Sequence, residues 1–518
     1  MKLEDFKIEL RPLAGAMPVW HGRVDARQWR AACQQVRDKG GRLVAVWGTD
    51  NRDRGEGYAV HAALTVQSGL LVVTQPLAGE SFLSISDIFP AADRMQRAVF
   101  DLLGISAERT HDDRKWLRHA AWPPDVFPLR KDFDSDQGSR ITDHASPADD
   151  YPFVRVEGEG VHEIPVGPVH AGTIEPGHFR FSIVGEGVLR LEERLGYKHK
   201  GIEKRFEQLD LAQGARLAGR VSGDSTVAYA WAYAMAAEGV CGVTPPRRAL
   251  WLRALLLERE RIGQHLWDLG FMGNDAGLAF GLAQFSLLRE DMLRVNAALF
   301  GHRYLMDTIV PGGVARDLDA EGVARIRGEI AALGKTVALL KAIYDEHAGL
   351  QDRFIGCGRV KPELADWLGL TGLAGRASAM AWDLRAQFPP VPYDGFDVRM
   401  ATHRNGDVAA RATVRFEEIA ESLRLIDLIL AGLPAGEFAA PVPDAPDGAF
   451  GLGWVEGWRG EVLIALETGA GNRIRRLHPH DPSWQNWPLL ERAVLGNIVP
   501  DFPLINKSFN LSYSGHDL

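Results

Sequence analysis

The sequence predicts an α+β protein, with a small N-terminal α/β domain followed by a larger, mainly α-helical domain. Short β-rich runs separated by turn residues occupy residues 42–73, whereas long apolar repeats at helical spacing dominate after residue 152. The length of 518 residues, with 46% hydrophobic and 25% charged residues, suits at least two globular cores. It excludes a single short binding module, a fibrous repeat and a wholly disordered chain.

The N-terminal domain is expected at residues 1–133. The runs LVAVW, YAVHAALTV and GLLVVTQ are separated by Gly, Asp and Asn, which predicts a small sheet. A helix should follow over residues 91–103, because Met95, Val99 and Leu102 fall on one helical face. Gly104 then ends the pattern.

Residues 134–151 are expected to form a linker, because they contain too little apolar surface to compensate the entropy lost on ordering. The second domain should span residues 152–518. A strand-like beginning gives way there to apolar residues at helical spacing, and no solenoid repeat is visible. The sequence predicts helices over residues 225–238, 248–269, 284–300, 320–347 and 416–431.

Charge and cysteine content exclude several function classes. The chain has 59 basic and 68 acidic residues and no long basic run, so nucleic acid is not an expected partner. The 3 cysteines lie far apart without a CxxC pair, which argues against a disulfide framework and against cysteine-ligated zinc or iron–sulfur clusters in this chain. The start lacks a secretory pattern, and the most apolar stretch, residues 226–237, is too short to span a bilayer. A cytoplasmic location is expected.

Histidines and carboxylates are concentrated between residues 167 and 203. His170, Glu175, His178, His199 and Glu203 all fall in this part of the chain. They could form a metal site or a proton relay. No HxxxH or HExxH spacing occurs there, which argues against a simple metal motif.

A second group of charges lies in the helical period LLLERERIGQHL. Glu258, Arg261 and His265 share a face with core-facing residues, so they form either a solvated, paired face or part of a buried ionic lattice. The pair Arg289–Glu290 on the next helix favours the lattice. The glycine-rich turns IVPGGVARDL and GLGWVEGWRGEV match no phosphate-binding loop.

Several motifs, in this order, resemble known subunits. The segment DIFPAADRMQRAVFDLLGISAERTHDDRKWLRHAAWPPDVFPLRKDF resembles the 30-kDa type subunit of respiratory complex I. The segments GPVHAGTIEPGHFRF, LLLERERIGQHL, QFSLLRE, GDVAARATVRFEEIAESL and GWVEGWRGEV resemble the 49-kDa type subunit and the large subunit of membrane-bound [NiFe]-hydrogenases. The resemblance to the fused large subunit of formate hydrogenlyase and hydrogenase-4 complexes extends over the whole set. It covers nearly the whole chain.

The metal-binding motifs depart from that family. Hydrogenases of the family hold nickel and iron with two CxxC pairs, and the matching stretches here are RVSGDSTVAYAWAY and SFNLSYSGHDL. The four ligand positions are therefore occupied by Ser222, Ser225, Ser512 and Gly515. Nickel and low-spin iron require soft thiolate donors, which hydroxyls and a glycine do not supply. We therefore expect no metal, no hydrogenase activity and no cofactor bound by this chain.

Without the metal, the resemblance implies that the same cavity takes a quinone. The quinone-binding histidine of the family follows a GPxH segment, which makes His178 the first candidate and His170 the alternative. An imidazole can donate a hydrogen bond and a proton to a reduced quinone oxygen. The tyrosine partner known in the family has no counterpart near Gly223, and Tyr229 lies at least one helical turn away.

Glu203 in GIEK corresponds to a glutamate that carries protons from the metal cavity in hydrogenases, so the resemblance makes it a catalytic candidate beside His178. A helix-capping salt bridge with Lys204 or Arg205 is the structural alternative. We expect His178 and Glu203 to lie close behind the two degenerate motifs.

Asp224, His516 and Asp517 should line the emptied cavity from opposite sides. They could bind a hard cation, carry protons or fill the space with a hydrogen-bonded network, and the network is favoured. Asp224 is also a candidate substrate-binding residue. Pairing should lower the pKa of the two aspartates and raise that of His516.

Two functions remain open. The first is a redox-coupling subunit, peripheral to the cytoplasmic face of the inner membrane. Its expected partners are a small iron–sulfur subunit like the PSST subunit of complex I, a ferredoxin-like iron–sulfur subunit, and antiporter-like and quinone-channel-type membrane subunits. It requires a hydrophobic or quinone-sized cavity. The second is a non-catalytic scaffold, whose cavity would be filled by side chains such as Trp231, Phe509 and Tyr513. A metalloenzyme with Asp224 and His516 as ligands is a minor third hypothesis.

Overall fold

The computed structural model describes residues 3–119, 122–134, 151–172 and 174–518. Strands dominate the N-terminal part and helices the rest, so the predicted α+β class is confirmed. The predicted linker, residues 134–151, lies outside the described residues apart from its two ends. The domain boundaries therefore stay a prediction.

The N-terminal part contains the predicted sheet and helix. Its strands are β1 (Arg11–Pro12), β2 (Val19–Arg23), β3 (Leu43–Asp50), β4 (Tyr58–Val66), β5 (Gly69–Leu77), β6 (Ser81–Leu83) and β7 (Ser106–Glu108), and its helices are α1 (Ala26–Asp38) and α2 (Ala92–Leu103).

The sheet has the order β1-β2-β5-β4-β3, in which β2 and β5 are parallel and the other neighbours are antiparallel. Helix α2 packs on β3 and presents Met95, Val99 and Leu102 to the core, as its spacing predicts. It ends at Gly104, whose φ of 74° lies in the left-handed region that glycine adopts without strain.

The rest of the chain contains short strands between long helices. The strands are β8 (Val161–Val166), β9 (His178–Val184), β10 (Gly187–Arg194), β11 (Ile309–Val310), β12 (Gly313–Val314), β13 (Phe450–Glu456), β14 (Glu461–Gly469) and β15 (Arg473–His480). The helices are α3 (Ile202–Phe206), α4 (Leu211–Ala218), α5 (Thr226–Cys241), α6 (Arg247–Asp275), α7 (Ala279–Phe300), α8 (Ala320–Glu346), α9 (Ala348–Phe354), α10 (Pro362–Leu368), α11 (Gly372–Arg376), α12 (Leu384–Gln387), α13 (Val408–Gly432), α14 (Ser483–Ala493), α15 (Phe502–Phe509) and α16 (Tyr513–Asp517).

The five helices predicted for this part are all present, as α5 to α8 and α13. Helix α5 is apolar on every side and almost wholly buried, because it packs against β13, β14 and α6. Helix α13 begins at Val408 rather than at residue 416, because the Asp407 carboxylate accepts a hydrogen bond from the Ala410 amide and caps an additional N-terminal segment. No helix among the described residues combines the length and apolarity needed to cross a bilayer.

The N-terminal sheet packs directly on the last third of the chain. The Trp47 ring of β3 stacks on the His478 ring of β15, with 5.3 Å between centroids. Arg94 of α2 forms an ion pair with Glu193 of β10, with 2.9 Å between N and O. These contacts place β15 against the first sheet and β10 against helix α2.

Candidate functional site

The two degenerate motifs meet, as the sequence analysis predicts. Ser222 lies in the turn before α5, and Ser512 is the N-cap of α16. Their hydroxyl oxygens are 2.8 Å apart. Ser222 donates to Asp224 Oδ1, so Ser512 donates to Ser222 and at the same time accepts from the Gly515 amide. Both serines are buried, and we call them the serine pair.

An arginine from a third segment completes this network. Arg459, in the turn between β13 and β14, is buried and donates to both carboxylate oxygens of Asp224 and to Ser225 Oγ. Burial would raise the pKa of Asp224, but Arg459 and the Ser222 hydroxyl outweigh it and hold that pKa below its ordinary value. The Asp224 side chain is 37% exposed, so the network reaches solvent on this side.

Asp481 fills the space beside Gly515. Its carboxylate accepts hydrogen bonds from the Tyr229 hydroxyl at 2.8 Å and from the Ser483 amide at 2.9 Å. A Cβ built on Gly515 would lie 2.3 Å from Asp481 Oδ2, so a side chain at this fourth ligand position would displace the carboxylate. Tyr229, the nearest tyrosine to the position of the family's quinone partner, therefore holds Asp481.

The [NiFe] centre implied by the resemblance does not fit these residues. The four positions provide hydroxyls and a glycine, the two facing hydroxyls bond each other at 2.8 Å, and the Arg459 guanidinium lies against Asp224. A centre that needs four soft thiolates finds neither donors nor space here. No three His, Cys, Asp or Glu side chains of the described ranges converge to hold a metal ion.

His516 and Asp517 form a pair of their own. His516 Nδ1 lies 2.8 Å from Asp517 Oδ1, its Nε2 accepts from the Trp116 indole, and its ring stacks on Trp484 with 4.0 Å between centroids. The hydrogen bonds of Asp224 go to Ser222 and Arg459 instead, so the expected shared network of Asp224 with the His516–Asp517 pair is wrong. Burial lowers the pKa of His516 despite Asp517, which contradicts the expected rise.

Glu203 of α3 is buried and bridges two residues of β15. Its Oε1 lies 2.8 Å from Arg476 Nη2 and 2.8 Å from His478 Nδ1. Burial opposes ionisation, yet Arg476 and His478 lower the pKa of Glu203 to about 2. The alternative salt bridge with Lys204 or Arg205 is wrong, because β15 supplies the partners.

A small cavity borders Glu203. It measures about 20 Å³ and is lined by apolar residues of β3 and α2 together with His478, His480 and Trp484. This space suits about one water molecule and is far below the ~300–1,000 Å³ of ordinary small-molecule sites. Nε2 of His478 has no hydrogen-bond partner within the described part of the chain, so it could bond such a water.

Of the two quinone candidates, His170 lies beside α16. His178 begins β9, packs on Phe153 and accepts from Arg180 Nε at 3.3 Å. Burial and then the Arg180 charge lower its pKa. The His170 ring lies 6.2 Å from the Tyr513 ring, centroid to centroid. The side-chain hydrogen bonds of these histidines go to Arg180 and to the Pro168 carbonyl rather than to the serine pair, so the expected place of His178 directly behind it is not borne out by a contact.

Charged groups on α6 form a buried lattice. Arg261 Nη2 lies 2.6 Å from Glu418 Oε2, and His265 Nε2 lies 2.9 Å from the same oxygen. The predicted lattice is therefore present, and the alternative of a solvated face is wrong. Arg289–Glu290 does not belong to it, because Glu290 pairs at the surface with Arg294 and Arg303. We use "the lattice" for the residues Glu258, Arg261, His265, Arg376, Asp383, Arg385, Glu418 and Glu456.

The sequence did not predict the roles of Arg459, Asp481 and Glu456. The turn GWVEGWRGEV carries two of them, and its charged residues between glycines were the only local signal. Of the expected fillers, Trp231 packs near Tyr393 and Phe509 lies under the Arg411 guanidinium, whereas Tyr513 directly follows Ser512 and packs on Trp487. Asp481 and Arg459 occupy the space instead.

The fold and the degenerate site together define a complex I-like large subunit. Residues 23–139 match the family of the respiratory-chain NADH dehydrogenase 30 Kd subunit, and residues 275–448 match that of the 49 Kd subunit. The chain is 31% identical to formate hydrogenlyase subunit 5 of Escherichia coli, over 92% of this chain and 85% of that one. It is 30% identical to hydrogenase-4 component G of the same organism, over 92% of this chain and 84% of that one.

A solved chain of the membrane-bound sulfane sulfur reductase, an archaeal respiratory membrane complex, shares the fold with a TM-score of 0.66 and 24% identity. The match covers 69% of this chain and 99% of that one. The protein belongs to the family of fused 30-kDa plus 49-kDa type subunits that includes formate hydrogenlyase subunit 5 and hydrogenase-4 component G.

Proposed function

We propose that this chain is the hydrophilic-arm subunit of a membrane-bound, complex I-like assembly. It couples electron transfer from an iron–sulfur partner to ion translocation and has no hydrogenase activity. The observation that carries the proposal is the bonded serine pair with Arg459 against Asp224, because a network without thiolates supports no [NiFe] chemistry. The family relatives are subunits of formate hydrogenlyase and hydrogenase-4, which supports an assembly of this kind.

The expected partners follow from the same relationship. They are a small iron–sulfur subunit, a ferredoxin-like iron–sulfur subunit, and antiporter-like and quinone-channel-type membrane subunits, with this chain at the membrane periphery on the cytoplasmic side. A quinone is the expected acceptor, with His178 or His170 as its hydrogen-bond donor. The family relationship implies Glu203 as the proton carrier. Its low pKa means that it binds a proton only transiently near neutral pH, and Nε2 of His478, which has no partner among the described residues, supports a route onward from it.

A scaffold function is the second candidate. The close approach of Asp481 to Gly515 and the direct Ser222–Ser512 bond favour it, because both fill the space that a substrate would need. A scaffold docks the hydrophilic arm to the antiporter-like subunits and requires no histidine to react.

The assembled complex decides between these functions. We expect its nickel content to be far below one atom per chain and hydrogen uptake to be absent, while reduction of the iron–sulfur partner drives quinone reduction. Nickel near one per chain would overturn the proposal. His178→Ala and His170→Ala each test one quinone candidate, with Val169→Ala as the matched control because Val169 is exposed in the same segment. Normal assembly with full quinone reduction in both histidine variants would favour the scaffold.

A further inference from the structure

The lattice carries unequal numbers of buried charges. Every member is at most 3% exposed. Its acidic members are four, Glu258, Asp383, Glu418 and Glu456, and its guanidinium groups are three, Arg261, Arg376 and Arg385. His265 is the remaining member. Burial lowers its pKa despite its hydrogen bond to Glu418, and the lowered pKa keeps the imidazole neutral. With every carboxyl ionised, the lattice would hold one uncompensated negative charge.

The charged groups packed around the lattice do not supply the missing cation in the described part of the chain. Asp268 is paired with Arg415 at 2.7 Å. Glu461, opposite Glu456 in the β13–β14 register, is paired with Arg42 at 2.8 Å. Each of these pairs is balanced by itself. An unpaired charge buried in a protein interior is costly, and the usual outcome is that the group binds a proton and becomes neutral.

Glu456 has the fewest charged partners of the four carboxyls. Glu418 contacts Arg261, Arg376 and His265, whereas Glu456 contacts one guanidinium among the described residues, that of Arg376, at 2.8 Å. Its second oxygen accepts from the Leu384 amide at 3.2 Å.

The remaining two carboxyls are better compensated. Asp383 contacts Arg385 and Arg376, and Glu258 contacts Arg385, Arg261 and two hydroxyl groups. Burial, followed by the negative charge of Asp383, raises the pKa of Glu456 to about 7. The pKa values of Asp383, Glu258 and Glu418 are all lowered, because the arginines outweigh burial.

Glu456 is joined to the serine-pair network by one turn of chain. Arg261 donates to the carbonyl oxygens of Glu456 and Gly457, the latter at 2.7 Å. The next residue, Trp458, donates from its indole to the Asp224 carbonyl oxygen at 2.9 Å, and Arg459 binds the Asp224 carboxylate. The charge of the lattice therefore contributes to the electrostatic field at the turn that binds Asp224.

We propose that the lattice binds one exchangeable proton at Glu456, which makes it a proton-loading site beside the Asp224–Arg459 pair. The proton comes from water and returns to it, so that Glu456 alternates between carboxylate and carboxylic acid. The place of this site in ion coupling rests on the proposed function. The binding of the proton does not, and its test requires no turnover.

Infrared difference spectroscopy of the full chain tests the proposal. The C=O stretch of a protonated carboxylic acid is separated from the carboxylate bands, and its loss as pH rises reports deprotonation. We expect wild type to lose two such bands as pH rises, one around pH 7 from Glu456 and one around pH 8 from Glu260, and Glu456→Gln to lack the first. Glu260→Gln is the control, since burial raises the pKa of Glu260 to about 8 at a different site, and it should keep the Glu456 band. Persistence, in Glu456→Gln, of the band that Glu260→Gln retains would overturn the proposal.

A second variant changes the pH at which the Glu456 band disappears and leaves Glu456 in place. Asp383→Asn removes a negative charge near Glu456 with almost no change of shape, so the lattice becomes balanced with Glu456 ionised. The pH at which half of the Glu456 band has disappeared should fall by about 1 pH unit or more. An unchanged midpoint in folded Asp383→Asn protein would show that lattice charge does not control this proton, and the proposal would fail. A failed quinone or nickel test leaves both spectroscopic results unaffected.

Discussion

Two buried polar clusters lie side by side in this protein and differ in composition. The serine-pair network is made mostly of hydroxyls and one ion pair, and its Asp224 side chain is 37% exposed. The lattice is made of charged groups that are at most 3% exposed. In the first cluster, water can reach the Asp224 carboxylate. In the second it cannot reach the charged groups, so loss of one charge leaves its partners buried without compensation. The two clusters should therefore respond very differently to substitution.

Glu418→Ala should destabilise the protein more than any change in the serine-pair network. Glu418 contacts Arg261, Arg376 and His265, all fully buried. Removing one member of a buried ionic group costs about 3–5 kcal/mol. We expect a fall of this size in the free energy of unfolding, measured by urea denaturation. The neighbouring Glu417→Ala is the control, because Glu417 is 41% exposed and its pair with His403 is worth about 1 kcal/mol or less. Equal effects would contradict the contrast between buried and exposed charge.

Acid should destabilise the fold by protonating Glu203, which is buried like the residues of the lattice. Its pKa of about 2 lies below the ordinary value of 4.5, so its ionised form stabilises the fold. That stability is complete above pH 4.5 and is lost as the pH falls from 4.5 towards 2, by about 3 kcal/mol in total. Glu203→Gln should flatten the fall of unfolding free energy in this window.

Glu290→Gln serves as the surface control for Glu203. The pKa of Glu290 is also lowered to about 2, by hydrogen bonds from Arg303 and Arg294. These groups are exposed to solvent, where salt screens their interaction. We expect Glu290→Gln to change the pH dependence of the unfolding free energy less than Glu203→Gln does. This change should disappear at high salt. A slope in Glu203→Gln equal to that of wild type would contradict the role of Glu203.

The sequence pattern alone predicted the elements but not the clusters. The apolar spacing of α6 and α13 is a local property, so both helices were predictable. The meeting of Ser222 and Ser512, which are 290 positions apart, followed from the resemblance to a family in which these stretches share a metal. The contacts of Arg459 with Asp224 and of Tyr229 with Asp481 also join distant segments and have no local periodicity. Neither the local spacing nor the motifs that carry the resemblance indicated them.

Gly515→Ala should have an intermediate effect on the stability of the fold. It tests whether the space at the fourth ligand position is full. The new Cβ would lie 2.3 Å from Asp481 Oδ2, and the carboxylate must move away from Tyr229 to accommodate it. Overpacking of this kind costs about 1–3 kcal/mol. Gly328→Ala in α8 is the control, because its Cβ meets nothing within 4 Å and alanine should stabilise the helix by about 0.5–1 kcal/mol. A neutral Gly515→Ala in thermal unfolding would show that the cavity retains room for a side chain.

The smallest expected effect concerns the serine pair itself. Ser222→Ala removes one hydroxyl that bonds Asp224 and Ser512, and Ser512→Ala also removes the N-cap bond to the Gly515 amide. The double variant isolates their mutual bond, because losses from the other partners cancel in the cycle. A neutral hydrogen bond contributes about 0.5–1.5 kcal/mol, so we expect a coupling energy in this range from urea unfolding. A coupling near zero would mean that water replaces the lost hydroxyl without cost. The serine pair would then be an open polar site rather than a filled one, and a small ligand at Asp224 would become the better explanation of the exposed carboxylate.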